Sequence, residues 1–91
     1  MSGFELRMIV PGDARFCEAV REVASQAAQH VGCPQERAAQ FGADVEQALR
    51  GCVEEAPVPV TAVFRQVDEE LEVVLTPSGE SRLARTLRID V

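Results

Sequence analysis

Val60-Thr61-Ala62-Val63-Phe64-Arg65-Gln66-Val67 is followed by Asp68-Glu69-Glu70 and then by Leu71-Glu72-Val73-Val74-Leu75. The outer stretches are rich in β-branched residues, and the polar segment between them is short. This predicts two strands joined as an antiparallel hairpin. Thr76-Pro77-Ser78-Gly79 ends the second strand with turn chemistry. Upstream, Pro57 and Pro59 stop a helix that begins near Pro34, because the residue before a proline avoids helical geometry. Its apolar stripe runs through Ala38, Phe41, Val45, Ala48, Leu49 and Cys52, and Glu36 suits the positive first turn. An earlier helix runs from the N-cap Asp13 to Val31, with apolar residues at Phe16, Val20, Val23, Ala27 and Val31 and a glycine cap at Gly32.

The chain opens with a strand over Phe4 to Val10, in which Phe4, Leu6, Met8 and Val10 alternate with Glu5, Arg7 and Ile9. Pro11-Gly12 ends it. Downstream of the hairpin, Ser81 is placed to cap a short last helix through Leu87, before Arg88-Ile89-Asp90-Val91. The expected order is β-α-α-β-β-α. The expected fold is an α+β two-layer sandwich, with helices on one face of a mixed or antiparallel sheet, forming a single domain over residues 1–91. The alanines of the two helices, among them Ala24, Ala27, Ala28 and Ala38, predict close internal packing.

Fifteen acidic and nine basic residues give a net charge of −6. That argues against a phosphate backbone or an anionic membrane as partner. All nine basic residues are arginine, which excludes P-loop and Schiff-base chemistry, both of which need lysine. Tryptophan and tyrosine are absent, so no stacking platform for single-stranded nucleic acid is expected. Cys17, Cys33 and Cys52 are odd in number and widely spaced, and His30 is the only histidine. Neither a disulfide framework nor a zinc site fits that pattern; reduced, partly buried thiols in the cytoplasm do. The N-terminus carries neither a basic segment nor an apolar run of the kind that makes a signal peptide.

Few residues stand out as candidates for chemistry. Glu46 has the right side chain for a general base, while periodicity places it on the polar edge of its helix as a solvated carboxylate. His30, near a helix C-terminus, reads as a protonated imidazole in a structural role. Arg82, Arg85 and Arg88 recur every three residues, which makes one face of the expected last helix basic. Such a face fits a phosphate or an acidic partner, although a charge stripe on a short terminal helix is usually its solvated face. Gly79 is a lone glycine after a strand, the usual mark of a turn.

The element order and several strings resemble the anti-sigma-factor serine kinases of the GHKL, or Bergerat-fold, histidine-kinase-like ATPase superfamily. The strings are Met8-Ile9-Val10-Pro11, Val31-Gly32, Ala43-Asp44-Val45-Glu46-Gln47-Ala48-Leu49-Arg50 and Leu71-Glu72-Val73-Val74-Leu75-Thr76-Pro77-Ser78-Gly79-Glu80. The resemblance implies that Glu46 stands at the position of the family's basic glutamate. Arg50 stands where the family has its magnesium-binding asparagine. Pro77 replaces the adenine-reading aspartate, and Gly79 matches the glycine that follows it. Ser81 to Leu87 is similar to the helix after the ATP lid, and the lid itself is missing.

These departures have physical consequences. Arginine has no acceptor atom and carries a fixed positive charge, so Arg50 repels the metal that asparagine would bind. Pro77 has neither a carboxylate nor a backbone donor to recognise adenine. Without a lid, water reaches the γ-phosphate. The resemblance therefore implies a non-catalytic pseudo-kinase of a bacterial regulatory pathway, not an enzyme, which takes neither ATP nor magnesium. It implies a protein partner such as a sigma factor or an antagonist domain, and a possible homodimer. Arg15, Glu18 and Glu22, exposed charges of the first helix, are the expected partner-binding residues. The alternatives are a small nucleotide- or anion-binding domain without turnover, in which Arg50, Arg82 and Arg85 replace the metal, and a subunit that completes a larger enzyme.

Overall fold

The structure is a computed structural model that describes residues 4–79 and 84–90. Its elements are β1 (Glu5–Val10), α1 (Cys17–His30), α2 (Gln35–Glu55), β2 (Val60–Val67), β3 (Glu70–Pro77) and β4 (Arg85–Asp90). The strands form one sheet in the order β1-β2-β3-β4, antiparallel throughout, and both helices lie on one face of it. The protein is thus an α+β two-layer sandwich.

The expected hairpin is β2 and β3, and it is tighter than its sequence suggests. Val67 pairs with Glu70, which leaves Asp68 and Glu69 as a two-residue turn. Asp68 has φ 55°, in the left-handed region that aspartate tolerates better than most residues. The alternation of β2 and β3 sends Val60, Ala62, Phe64, Leu71, Val73 and Leu75 to the helical side, where all are fully buried. From α2, Phe41, Val45, Leu49 and Cys52 meet them. Each large side chain so covered contributes about 1.5–3 kcal/mol of apolar transfer.

The last element differs from expectation. Arg85 to Leu87 belong to strand β4, which pairs with β3 from Leu75↔Arg85 to Glu70↔Asp90. Ser81, Arg82 and Leu83, the first half of the expected helix, lie outside the described residues. The physical reason is that Arg85, Leu87 and Ile89 alternate with Thr86, Arg88 and Asp90, and the β3 edge offers unpaired backbone groups that a strand satisfies and a helix cannot. The arginine stripe is divided accordingly: Arg85 points to the helical side and Arg88 to the opposite face.

Asp13 caps as expected, accepting from the Arg15 N–H at 2.9 Å. The turn it caps is a short 3-10 segment, Ala14–Phe16, that precedes α1. A 3-10 turn holds 3.0 residues, so the apolar stripe starts out of phase. Cys17 is buried and Phe16 remains exposed. At the other end of α1, the Gly32 N–H donates to the Gln29 carbonyl and the Cys33 N–H to the Ala28 carbonyl, a Schellman closure with Gly32 at φ 111°. Ala24, Ala27, Ala28 and Ala38 are buried, as the close-packing expectation requires.

Gly42 sets the distance between the helices. A Cβ there would lie 2.7 Å from the Arg21 carbonyl oxygen of α1. Gly42→Ala is expected to lose about 1–3 kcal/mol through overpacking, despite alanine's better helix propensity. At about 4–8 °C per kcal/mol for a domain of this size, a thermal melt reads that loss directly. At Gly51 a Cβ would meet only the flexible Arg85 guanidinium tip, at 2.5 Å. Gly51→Ala is expected to change stability by less than about 1 kcal/mol in the same melt, since propensity offsets the displaced contact.

On the face away from the helices, Glu72 accepts from Arg88 at 2.9 Å and from Arg65 at 3.3 Å. Arg88 first, and then Arg65, holds the Glu72 carboxyl below the usual carboxylate range. A lowered folded-state value gives stability that is present above the unfolded value of about 4.3 and lost as pH falls through the folded one. The stability difference between wild type and Glu72→Gln should therefore be largest near neutral pH and shrink in acid. Denaturant midpoints measured across that range check it.

Candidate functional site

Glu46 is on α2 one turn after Gly42, where α1 passes close by. That approach brings Arg21 within reach: its Nη1 lies 3.5 Å from Glu46 Oε1. Arg50, one turn further along α2, donates to Glu46 Oε2 from both Nε (3.1 Å) and Nη2 (2.8 Å). The Glu46 side chain is only 13% exposed, so both carboxylate oxygens are taken up by guanidinium groups at the seam between the helices. A general base needs an oxygen within hydrogen-bond reach of a reacting proton, and here each oxygen lies beside a guanidinium, Oε2 closely and Oε1 at the longer distance. Glu46 also holds the Arg50 guanidinium firmly in its charged state.

Cys17 and Cys52 are buried beneath this seam, and both thiols are pushed up from their ordinary value, chiefly by loss of solvation. Arg50 pulls Cys17 down and Arg85 pulls Cys52 down, in each case by less than burial raises it. Cys33 is buried in the turn after α1, with its Sγ 3.5 Å from the Asp90 carbonyl oxygen. All three cysteines are free thiols.

The other expected positions lie elsewhere. Pro77 is buried at the end of β3 and pairs with Val60, while the next N–H, that of Ser78, donates to the Pro59 carbonyl at 2.9 Å. Gly79 follows with φ 106°, so it serves the turn. Arg50 and Glu46 face α1, whereas Pro77 closes a strand in the sheet layer. The underside of α2 is filled by Phe41, Val45, Leu49 and Cys52 against the buried side chains of β2 and β3. Arg85 reaches from β4 to Glu55 at 2.8 Å and to the Ala48 carbonyl at 3.5 Å. That places a cation beside the negative C-terminal end of α2, which otherwise carries only Glu54 and Glu55. Of the three arginines considered for a metal-free anion site, Arg50 and Arg85 each hold a carboxylate of the chain, and Arg82 lies outside the described residues.

Arg15, expected on the first helix, lies in the 3-10 turn before α1, and it and Glu18 and Glu22 of α1 are exposed and line a shallow depression of about 420 Å³ with Ala19 and Arg21. Arg15 is not free within it: its Nε and Nη2 clasp Asp13 at 3.0 and 2.8 Å, and its guanidinium stacks over Phe16. His30 ends α1 with its ring 5.2 Å from that of Phe4, a packing role in keeping with expectation. Among the described residues no group of three metal-ligating side chains converges, and no helix is long and apolar enough to cross a membrane. No protein-family model matches the chain, and no curated protein matches it either.

Glu46 and Arg50 are legible in the sequence as members of the site, whereas Arg21 is not, and Arg85 is legible as a candidate but not in its pairing with Glu55. The Glu46–Arg50 spacing of four residues is that of a helical ion pair. The pairing of Arg21 with Glu46 spans 25 residues and depends on how the helices cross. Burial gives the site a measurable property: Cys17 and Cys52 should react with iodoacetamide at neutral pH roughly 100-fold slower in the folded protein than in denaturant. Mass-resolved alkylation kinetics measure this for each cysteine.

Proposed function

We propose that the chain is a non-catalytic regulatory domain of the bacterial cytoplasm that works by binding another protein. In this reading it is a lid-less relative of the anti-sigma-factor kinases, with a sigma factor or an antagonist domain as partner. The observation that carries the reading is the double pairing of Glu46 with Arg50 and Arg21. A carboxylate so paired has fewer acceptor sites to offer a substrate hydroxyl, and a guanidinium that gives two donors to a carboxylate of its own chain has fewer to offer a phosphate. The filled underside of α2 supports the same conclusion, because a nucleotide needs a concave site and packed side chains occupy that space. Three buried free thiols suit a reducing compartment.

The partner surface in this reading is the exposed start of α1, with Glu18 and Glu22 as its free charges and Arg15 held in place by Asp13. Calorimetric titration with ATP at millimolar concentration, with and without magnesium, should give no binding heat and no thermal shift. Magnesium-independent binding that disappears in Arg50→Ala would replace this reading with an anion-binding domain. Affinity capture from bacterial lysate, quantified by mass spectrometry, should enrich a protein on the wild-type chain and lose it on the Arg15→Ala/Glu18→Ala/Glu22→Ala variant. Equal enrichment on both moves the partner surface away from α1.

A further inference from the structure

We propose that the outer edge of β4 is a docking site for an extended segment of a partner protein. The segment adds to the sheet as a further antiparallel strand, with a carboxylate side chain opposite Arg88 and apolar side chains on the helical side. This contact goes beyond the partner surface proposed on α1 and uses none of its residues.

The hydrogen-bond parity of the sheet shows which backbone groups are open. The Ser78 N–H donates to the Pro59 carbonyl on the β2 side, so the alternate residues Thr76, Val74 and Glu72 face β2 as well. Leu75, Val73 and Leu71 therefore face β4, and their partners Arg85, Leu87 and Ile89 face back at them. The N–H and C=O groups of Thr86, Arg88 and Asp90 are left pointing away from the sheet. The Asp90 carbonyl oxygen is met by the Cys33 Sγ at 3.5 Å, which agrees with this parity and closes that end. Thr86 and Arg88 have no outward backbone partner among the described residues. β4 is 6 residues long, pairs without a bulge and contains no proline, so charge is the main device left to blunt this edge.

The side chains along the edge specify the added strand. On the open face, the row Glu5, Arg65, Glu72, Arg88 alternates in sign across the four strands. Arg88 spends two of its five donors on Glu72 and stays 61% exposed, so a carboxylate on the next strand meets the donors that remain. Thr86 and Asp90 flank Arg88 on this face, and Asp90 disfavours a second carboxylate beside itself. The requirement is thus for one carboxylate and not for an acidic run, which the net charge of −6 would repel.

On the helical side, α2 stands beside the edge. Arg37, Gln40, Phe41 and Asp44 join Arg88 and Ile89 around a shallow depression of about 160 Å³. Arg37 and Asp44 are opposite in sign, and Asp44 already accepts from Gln40 at 3.0 Å. With Phe41 and Ile89 between them, the depression suits an uncharged apolar side chain. Strand alternation sends the residue opposite Ile89 to this side whenever its neighbour opposite Arg88 is on the open face. The segment therefore reads apolar, acidic, apolar, with its backbone supplying affinity and these side chains supplying choice.

The probe is a capped heptapeptide in which valine alternates with threonine and glutamate replaces the central threonine. Titrated to about 1 mM into the isotope-labelled full chain, it should bind with a Kd on the order of 100 µM and slow water exchange of the Thr86 and Arg88 amides about tenfold by NMR. A central lysine should weaken binding about fivefold, and Arg88→Glu should reverse that preference. Methylating the glutamate nitrogen, which faces β4, should abolish binding, while methylating an adjacent valine nitrogen, which faces away, should not. Thr86→Pro removes an outward donor where an edge strand tolerates proline, so it should melt close to the wild type and bind at least about fivefold more weakly. Circular dichroism confirms that both variants are folded, and the methylated pair keeps the test on the wild-type chain if one is not. Unchanged exchange at Thr86 and Arg88, equal binding of the two methylated peptides, or a glutamate preference that survives Arg88→Glu would each overturn the proposal. Protection of these amides that grows with protein concentration, without peptide, would also overturn it and give the edge to a second copy. None of these outcomes bears on the α1 surface, whose own test is capture by the triple variant.

Discussion

The tight approach of the two helices at Gly42, which lies against the Arg21 carbonyl, is the constraint on which much of the structure depends. With no side chain at 42, the backbones of α1 and α2 approach each other there, and the small residues Ala24, Ala28 and Ala38 are buried along the two helices. That spacing brings Arg21 to Glu46 and lets Arg50 close on the same carboxylate from the other side. A wider separation would leave Glu46 open to water or to a ligand. The packing of two helices therefore decides which groups the Glu46 carboxylate meets.

The same dependence explains what the sequence discloses about the fold. β1, both helices and the β2–β3 hairpin are legible because each has a local period with punctuation at both ends: Pro11-Gly12, Gly32, Pro34, and Pro57 with Pro59. The last strand is not. Arginines at 82, 85 and 88 fit a helical repeat, while Leu87 and Ile89 fit a strand, and nothing within the segment arbitrates. The decision comes from β3, whose outer edge needs a partner once β2 has taken the inner one. The misplaced phase at Phe16 is similar in kind: a 3-10 turn and a first α turn look alike in sequence, yet they rotate the downstream residues by different amounts.

Site residues obey the same division. The Glu46–Arg50 pair is local and legible. Its third member, Arg21, is not, and neither are Arg85 on Glu55 or Arg88 on Glu72, which require the register of a strand whose own sequence also fits a helix. Arg65 opposite Glu72 is the intermediate case, since a two-residue turn at Asp68-Glu69 fixes every pair of the hairpin by counting outward.

The absence of lysine, which at first excludes only certain chemistries, acquires a structural meaning. Arg15 on Asp13, Arg50 on Glu46 and Arg88 on Glu72 all bind in one manner, with Nε and Nη2 converging on a single carboxylate oxygen. An ammonium offers a point charge without that fork, and its donors rotate. Each of these arginines fixes an orientation as well as a charge: the cap before α1, the seam between the helices, and the row across the open sheet. An excess of acid would leave such places to repulsion; arginine at these three turns the nearby carboxylates into fixed points. The basic residues are few, and in these places they are committed to carboxylates of the chain itself.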